Sequence, residues 1–106
     1  MKEKFNIGDE IWYVADADTM PLPSTCEVLA VHERSGYYMY VLETPNKHIE
    51  AFTLYSDDVA KTRQEILPKV IGALSKCKQR CIDRAFDHQY SIAKYQIQYD
   101  TRRESP

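Results

Sequence analysis

The hydrophobic period changes once along this chain, and the change falls at Ser56. From Phe5 to Tyr55, short β-branched and aromatic runs alternate with a period of two and are separated by turn residues. Beyond Ser56, apolar residues recur at three- and four-residue steps, the spacing of one helical face. A chain of 106 residues has room for one compact domain. The two halves make one compact domain, or a domain with an appendage, and the fold class expected is α+β.

In the first half, Ile11 to Ala15 reads as a strand, with Phe5, Ile7, Ile11 and Tyr13 on one face and Trp12 and Val14 on the other. Asp16 to Ser24 carries Pro21 and Pro23 and reads as a loop. Cys26 to Glu33 is a second strand, Ser35-Gly36 a tight turn and Tyr37 to Glu43 a third strand, which makes a hairpin. Thr44 to Lys47 is the next turn and Ile49 to Tyr55 the fourth strand. Four or five short antiparallel strands in so few residues predict a small, strongly bent barrel.

In the second half, Ser56 with Asp57 and Asp58 has the chemistry of a helix start, a capping hydroxyl beside carboxylates at the positive end of the dipole. Pro68 would cost a hydrogen bond inside a helix, so it is expected to open a second helix, with Leu67 as the hinge. Leu67, Ile71, Leu74, Cys77, Cys81, Ala85, His88, Ile92, Tyr95 and Tyr99 then form an apolar stripe. A straight helix over Pro68 to Tyr99 would be about 48 Å long, against a barrel roughly 27 Å across. Either the helix breaks near Asp87-His88 and folds back, or its overhang meets another chain. The expected division is a barrel over residues 1–56, a helical extension in two parts over 57–100, and a flexible tail over 101–106.

Charge follows the same division. The net charge of −2 averages 4 Lys/Arg against 11 Asp/Glu in residues 1–60, which is −7, with 10 against 5 in residues 61–106, which is +5. No apolar run approaches the roughly 18 residues of a membrane span. Met1 to Lys4 opens without an apolar targeting stretch, and three cysteines cannot all pair within one chain. Reduced thiols and a cytoplasmic location are expected.

The opening Phe5-Asn6-Ile7-Gly8-Asp9-Glu10-Ile11-Trp12-Tyr13-Val14 resembles the first turn and strand of SH3-like small barrels, where Phe-x-x-Gly-Asp-x-Val is common. Leu54 to Ala60 resembles the barrel-to-helix junction of small bacterial and phage proteins of that type. The resemblance implies a module that binds peptides, proteins or nucleic acid rather than an enzyme. Fold does not set function, so the sites stand on their own residues.

The candidate partner-binding residues of the barrel are Trp12, Asp16, Asp18, Tyr37, Tyr38, Tyr40 and Tyr55. Trp and Tyr give large, rigid contact area. Tyr37 and Tyr38 point to opposite faces, so both cannot be core, and Trp12 has the alternative of seating the C-terminal helix. On the helical half the candidates are Arg80, Arg84, His88, Ile92, Tyr95 and Tyr99, a surface for a protein partner or a second copy. The acidic barrel would repel nucleic acid and attract basic grooves. Joined to the resemblance, that suggests a phage-type inhibitor of a host nucleic-acid-handling defence complex.

The alternatives are weaker in chemistry. Lys69, Lys76, Lys78, Arg80, Arg84, Arg102 and Arg103 could lead a nucleic-acid-binding accessory protein, although Asp83 and Asp87 interrupt them. Asp9, Glu10, Asp16 and Asp18 lack the spacing of a calcium loop. Cys77, Cys81 and His88 share a helical face, but they make one half of a zinc site, and the cysteines read as small core hydrophobes. No nucleophile with its base can be assembled, and a thiol-dependent enzyme is the last choice. No cofactor or metal is expected.

Overall fold

The structure, a computed structural model, describes residues 4–44, 51–80 and 85–104. It is α+β: a curled five-stranded antiparallel sheet forming half a barrel, with two helices against it. The strands are β1 (Glu10–Ala15), β2 (Leu22–Arg34), β3 (Tyr37–Glu43), β4 (Phe52–Tyr55) and β5 (Val59–Ala60), and the helices are α1 (Arg63–Arg80) and α2 (Ala85–Glu104). The sheet order is β4-β3-β2-β1-β5, so consecutive strands meander and the last returns to pair with the first.

The opening turn explains its own residues. Gly8 takes φ +94, which a side chain would resist, and its N–H donates to Val28 O at 2.8 Å. The Asp9 carboxylate accepts from Asn6 N–H at 2.8 Å. Phe5 enters the barrel core beside Tyr40, their ring centroids 5.8 Å apart, and its N–H donates to the Tyr40 hydroxyl at 3.0 Å. The expectation that Ile7 shares this core face fails: Ile7 is exposed, because the Gly8-Asp9 turn breaks the alternation before β1 begins.

Within the sheet one face packs inward, through Ile11, Tyr13, Cys26, Val28, Tyr38, Tyr40 and Leu42. In β2 the pairing shifts between Val28 and Ala30, leaving Leu29 as an extra residue. Beyond it the parity inverts, and Val31 rather than Ala30 packs on the core. Residues Asp16 to Ser24 are not all loop, since β2 begins at Leu22. Pro23 pairs with Val14, in a stretch of β2 that β3 does not reach, so one side needs no N–H donor. The expected fourth strand begins later than Ile49, at Phe52; Ile49 itself lies outside the described residues.

Ser56 does not begin a long helix. Residues Ser56–Asp58 form one 3-10 turn, and the buried Ser56 hydroxyl accepts from Tyr38 N–H at 3.3 Å, tying the turn to β3. Val59 and Ala60 then pair with Tyr13 and Trp12, so the sheet continues past residue 56. Helix α1 starts after Thr62, whose hydroxyl accepts from Glu65 N–H at 3.2 Å while its carbonyl accepts from Ile66 N–H at 3.3 Å. Thr62-Arg63-Gln64-Glu65 is the capping-box pattern that the acidic Ser56 segment overshadowed.

Nor is there a break at Pro68, which lies inside α1. Its exposed position lets the ring face solvent, and burial of Ile66, Leu67, Val70 and Leu74 carries the helix through the missing hydrogen bond. Helix α1 runs unbroken to Arg80, and α2 packs back along it: the Gln64 side-chain amide of α1 donates to Tyr99 O of α2 at 2.7 Å. The body's greatest extent is 39 Å, shorter than the single helix weighed above. Residues Thr101 to Glu104, expected as flexible tail, complete α2.

Candidate functional site

Helix α1 lies against β1, β2 and β5. There Trp12 and Val14, on the outward face of β1, pack with Ala60, Ile66, Leu67, Val70, Leu74 and Tyr95 in a second core. Trp12 is therefore half-buried under the helices and takes the seating role rather than the partner-binding one. The outward face of β3 and β4 remains open.

On that open face Tyr37 and Tyr55 meet edge to face, ring centroids 5.5 Å apart at 83°, and they are 41% and 50% exposed. Met39 is in register with Tyr55 on one side and with His32 on the other. Tyr38 and Tyr40, the other tyrosines named from the sequence, are buried in the barrel core and unavailable to a partner. The alternation that sends Tyr37 outward requires Tyr38 inward, and Tyr40 follows Tyr38 by two.

Towards the other end of the same face the chemistry is acidic. Glu10 pairs with Glu27 and Glu27 with Glu43, a row of three carboxylates across β1, β2 and β3. Asp9, Glu33, Asp57 and Asp58 are also exposed, whereas Lys4 and Arg34 are the only barrel cations among the described residues.

Asp16 and Asp18 lie in the link between β1 and β2, and both are exposed. Asp16 holds φ +52 and its carbonyl accepts from Thr19 N–H at 3.0 Å. The helices grip this link at three points. The Cys77 thiol donates to Ala17 O at 3.2 Å, His88 Nε2–H donates to Thr19 O at 2.8 Å, and Arg80 Nη2 stands 4.0 Å from the Asp18 carboxylate. The two halves of opposite charge thus meet here, beside a cleft of about 780 Å³ whose walls include Asp18 and Asp58 on one side and Lys69, Gly72, Lys76 and Arg80 on the other.

The helical candidates are mostly spent within the molecule. His88 and Tyr95 are buried, and Ile92 and Tyr99 are half-buried against α1. Arg80 is exposed, and Arg84 and Cys81 lie outside the described residues. The stripe named from the sequence is real, but it is folded against itself because α2 packs on α1. On the opposite side of α2, Phe86, Tyr90 and Ile97 are 84%, 67% and 65% exposed. Their four- and seven-residue spacing was the available signal.

The remaining thiol, Cys26, is buried, donates to Ile11 O at 3.7 Å, and is pushed up to about 12 by burial and then by the charge of Glu10. Such a group is a poor nucleophile. No group of three metal-ligating side chains forms among the described residues. No helix among them is long and apolar enough to cross a membrane. Compared with known proteins, the chain matches no family model, no curated protein and no solved structure.

Proposed function

We propose that this protein is a non-enzymatic protein-binding module whose barrel offers an aromatic and acidic face to a basic protein segment. The observation that carries it is the Tyr37–Tyr55 pair, two half-exposed rings meeting edge to face on the outward side of β3 and β4, which α1 leaves open. Rigid tyrosines lose little entropy on binding and give large contact area. The Glu10–Glu27–Glu43 row and the −7 charge of the first sixty residues select a cationic partner over a polyanion.

The strand meander closed by β5 on β1, together with the Gly8-Asp9 turn, supports assigning the half-barrel to the SH3-like class. The acid-rich barrel supports the narrower form of the reading, an inhibitor that occupies a basic groove of a nucleic-acid-handling complex.

Calorimetric titration with arginine- and lysine-rich peptides containing apolar residues tests the proposal. Binding is expected for these and not for acidic peptides, with loss in Tyr37→Ala and Tyr55→Ala at unchanged melting temperature. Retention of duplex or single-stranded DNA at physiological salt, abolished by Arg80→Glu, would instead establish the nucleic-acid alternative.

A further inference from the structure

Helix α2 has two apolar faces and uses only one of them inside the molecule. His88 and Tyr95 point into the body, while Phe86, Tyr90, Ala93 and Ile97 are exposed on the other side. The outward set advances by steps of four, three and four residues over three turns, the seam spacing of a helix that pairs with another helix. We propose that this face is the contact between two copies of the chain, with the two α2 helices antiparallel about a twofold axis that passes between Tyr90 and Ala93.

Size and charge both argue for a second copy in this orientation. An isologous contact must be complementary to itself. Antiparallel pairing about that axis sets Phe86 opposite Ile97 of the second copy and Tyr90 opposite Ala93, so each ring meets a smaller side chain. Asp87 and Lys94 occupy the same flanking position one heptad apart, and both are exposed. In an antiparallel pair equivalent flanks face each other, so Asp87 meets Lys94 of the second copy, and symmetry makes the pair twice. A parallel pair would set Lys94 against Gln89 and leave Asp87 without a cation. The Lys94 ammonium now rests 4.9 Å from the Tyr95 ring centre, and its flexible stem can carry it to the seam.

Three large, well-exposed apolar side chains on each copy, with their flanks, would bury on the order of 1,000 Å² in total, at the lower edge of specific interfaces. The dimer is therefore weak and concentration-dependent. It uses a different surface from the Tyr37–Tyr55 face, so neither proposal depends on the other.

Sedimentation equilibrium and light scattering from the low-micromolar to the millimolar range test it. The mass should rise from 12.4 kDa towards twice that value. Phe86→Ala should weaken association by roughly tenfold or more. Asp87→Lys and Lys94→Asp should each weaken it by roughly three- to tenfold, and the double exchange should restore it. Tyr37→Ala should leave it unchanged. A monomer at every concentration, or a dimer indifferent to Phe86→Ala, would overturn the interface. A double exchange as weak as the single variants would overturn the antiparallel register. All these positions are exposed, and unchanged circular dichroism will verify that the variants fold.

Discussion

His88 Nε2 lies 2.8 Å from the carbonyl oxygen of Thr19, a bond that joins α2 to the β1–β2 link across 69 residues of chain. The imidazole is fully buried, and a carbonyl can only accept, so the ring must carry its proton on Nε2. It stands beside the second core, where Tyr95 of α2 packs in one cluster with Trp12 and Val14 of β1.

Removing that ring should therefore cost both packing and a buried hydrogen bond. His88→Ala is expected to lower stability by about 2–4 kcal/mol, and His88→Phe, which keeps the volume but not the donor, by about 1–3 kcal/mol. Denaturant titration measures both. Hydrogen exchange at Ala17 to Met20 should accelerate in both variants, and an unchanged exchange pattern would show that the link is held without the bond.

The alkaline limb of the stability curve should be set in part by Cys26. Its thiol is raised from 9.0 to about 12, first by burial and then by Glu10. The folded state then keeps a proton that the unfolded chain releases above 9.0. The stabilisation is complete below 9.0 and is lost as pH rises towards 12. Tyr13 is raised in the same sense by burial, then by the charges of Cys26 and Asp16. Unfolding free energy measured at stepwise increasing pH should fall less steeply in Cys26→Ala than in the native chain. In native protein, iodoacetamide should leave Cys26 unmodified; labelling at the rate of a free thiol would contradict its burial.

Gly72 is a third test, because it sits inside α1 without a steric reason. A Cβ built there meets nothing within 4 Å, since the residue opens on the cleft between the charged walls. Gly72→Ala should raise stability by about 0.5–1 kcal/mol through helix propensity alone. A lower melting temperature would mean that the cleft closes on this position.

Much of the fold was legible because local chemistry and tertiary structure agree. The Ser35-Gly36 hairpin, the opposite fates of Tyr37 and Tyr38, and the division of Ile11 and Tyr13 from Trp12 and Val14 all follow from period-two alternation. Where the reading failed, a local preference lost to a pairing that lies far away in sequence. Ser56, Asp57 and Asp58 would start a helix in isolation, but β1 needed a partner on its free edge and took Val59 and Ala60. Pro68 would break a helix in isolation, but the buried residues on both sides of it hold α1 together.

The candidate site was legible by composition and displaced by geometry. Tyr37 and Tyr55, named from the aromatic count, are exposed on the outward sheet face. On α2 the stripe through His88, Ile92, Tyr95 and Tyr99 was correctly periodic yet faces inward, because periodicity locates an apolar face without saying what covers it. Phe86, Tyr90 and Ile97 became informative only once α1 was seen to cover the other side.

The carboxylate row of Glu10, Glu27 and Glu43 has one further consequence. Like charges directly opposite on neighbouring strands oppose the pairing that the backbone makes. Dissolved salt screens such repulsion over about 10 Å at moderate ionic strength. The barrel should thus unfold at higher temperature as neutral salt is added, and a cationic partner seated on the row would do locally what the salt does in bulk. For this protein, ionic strength and occupancy should therefore register on the same melting curve.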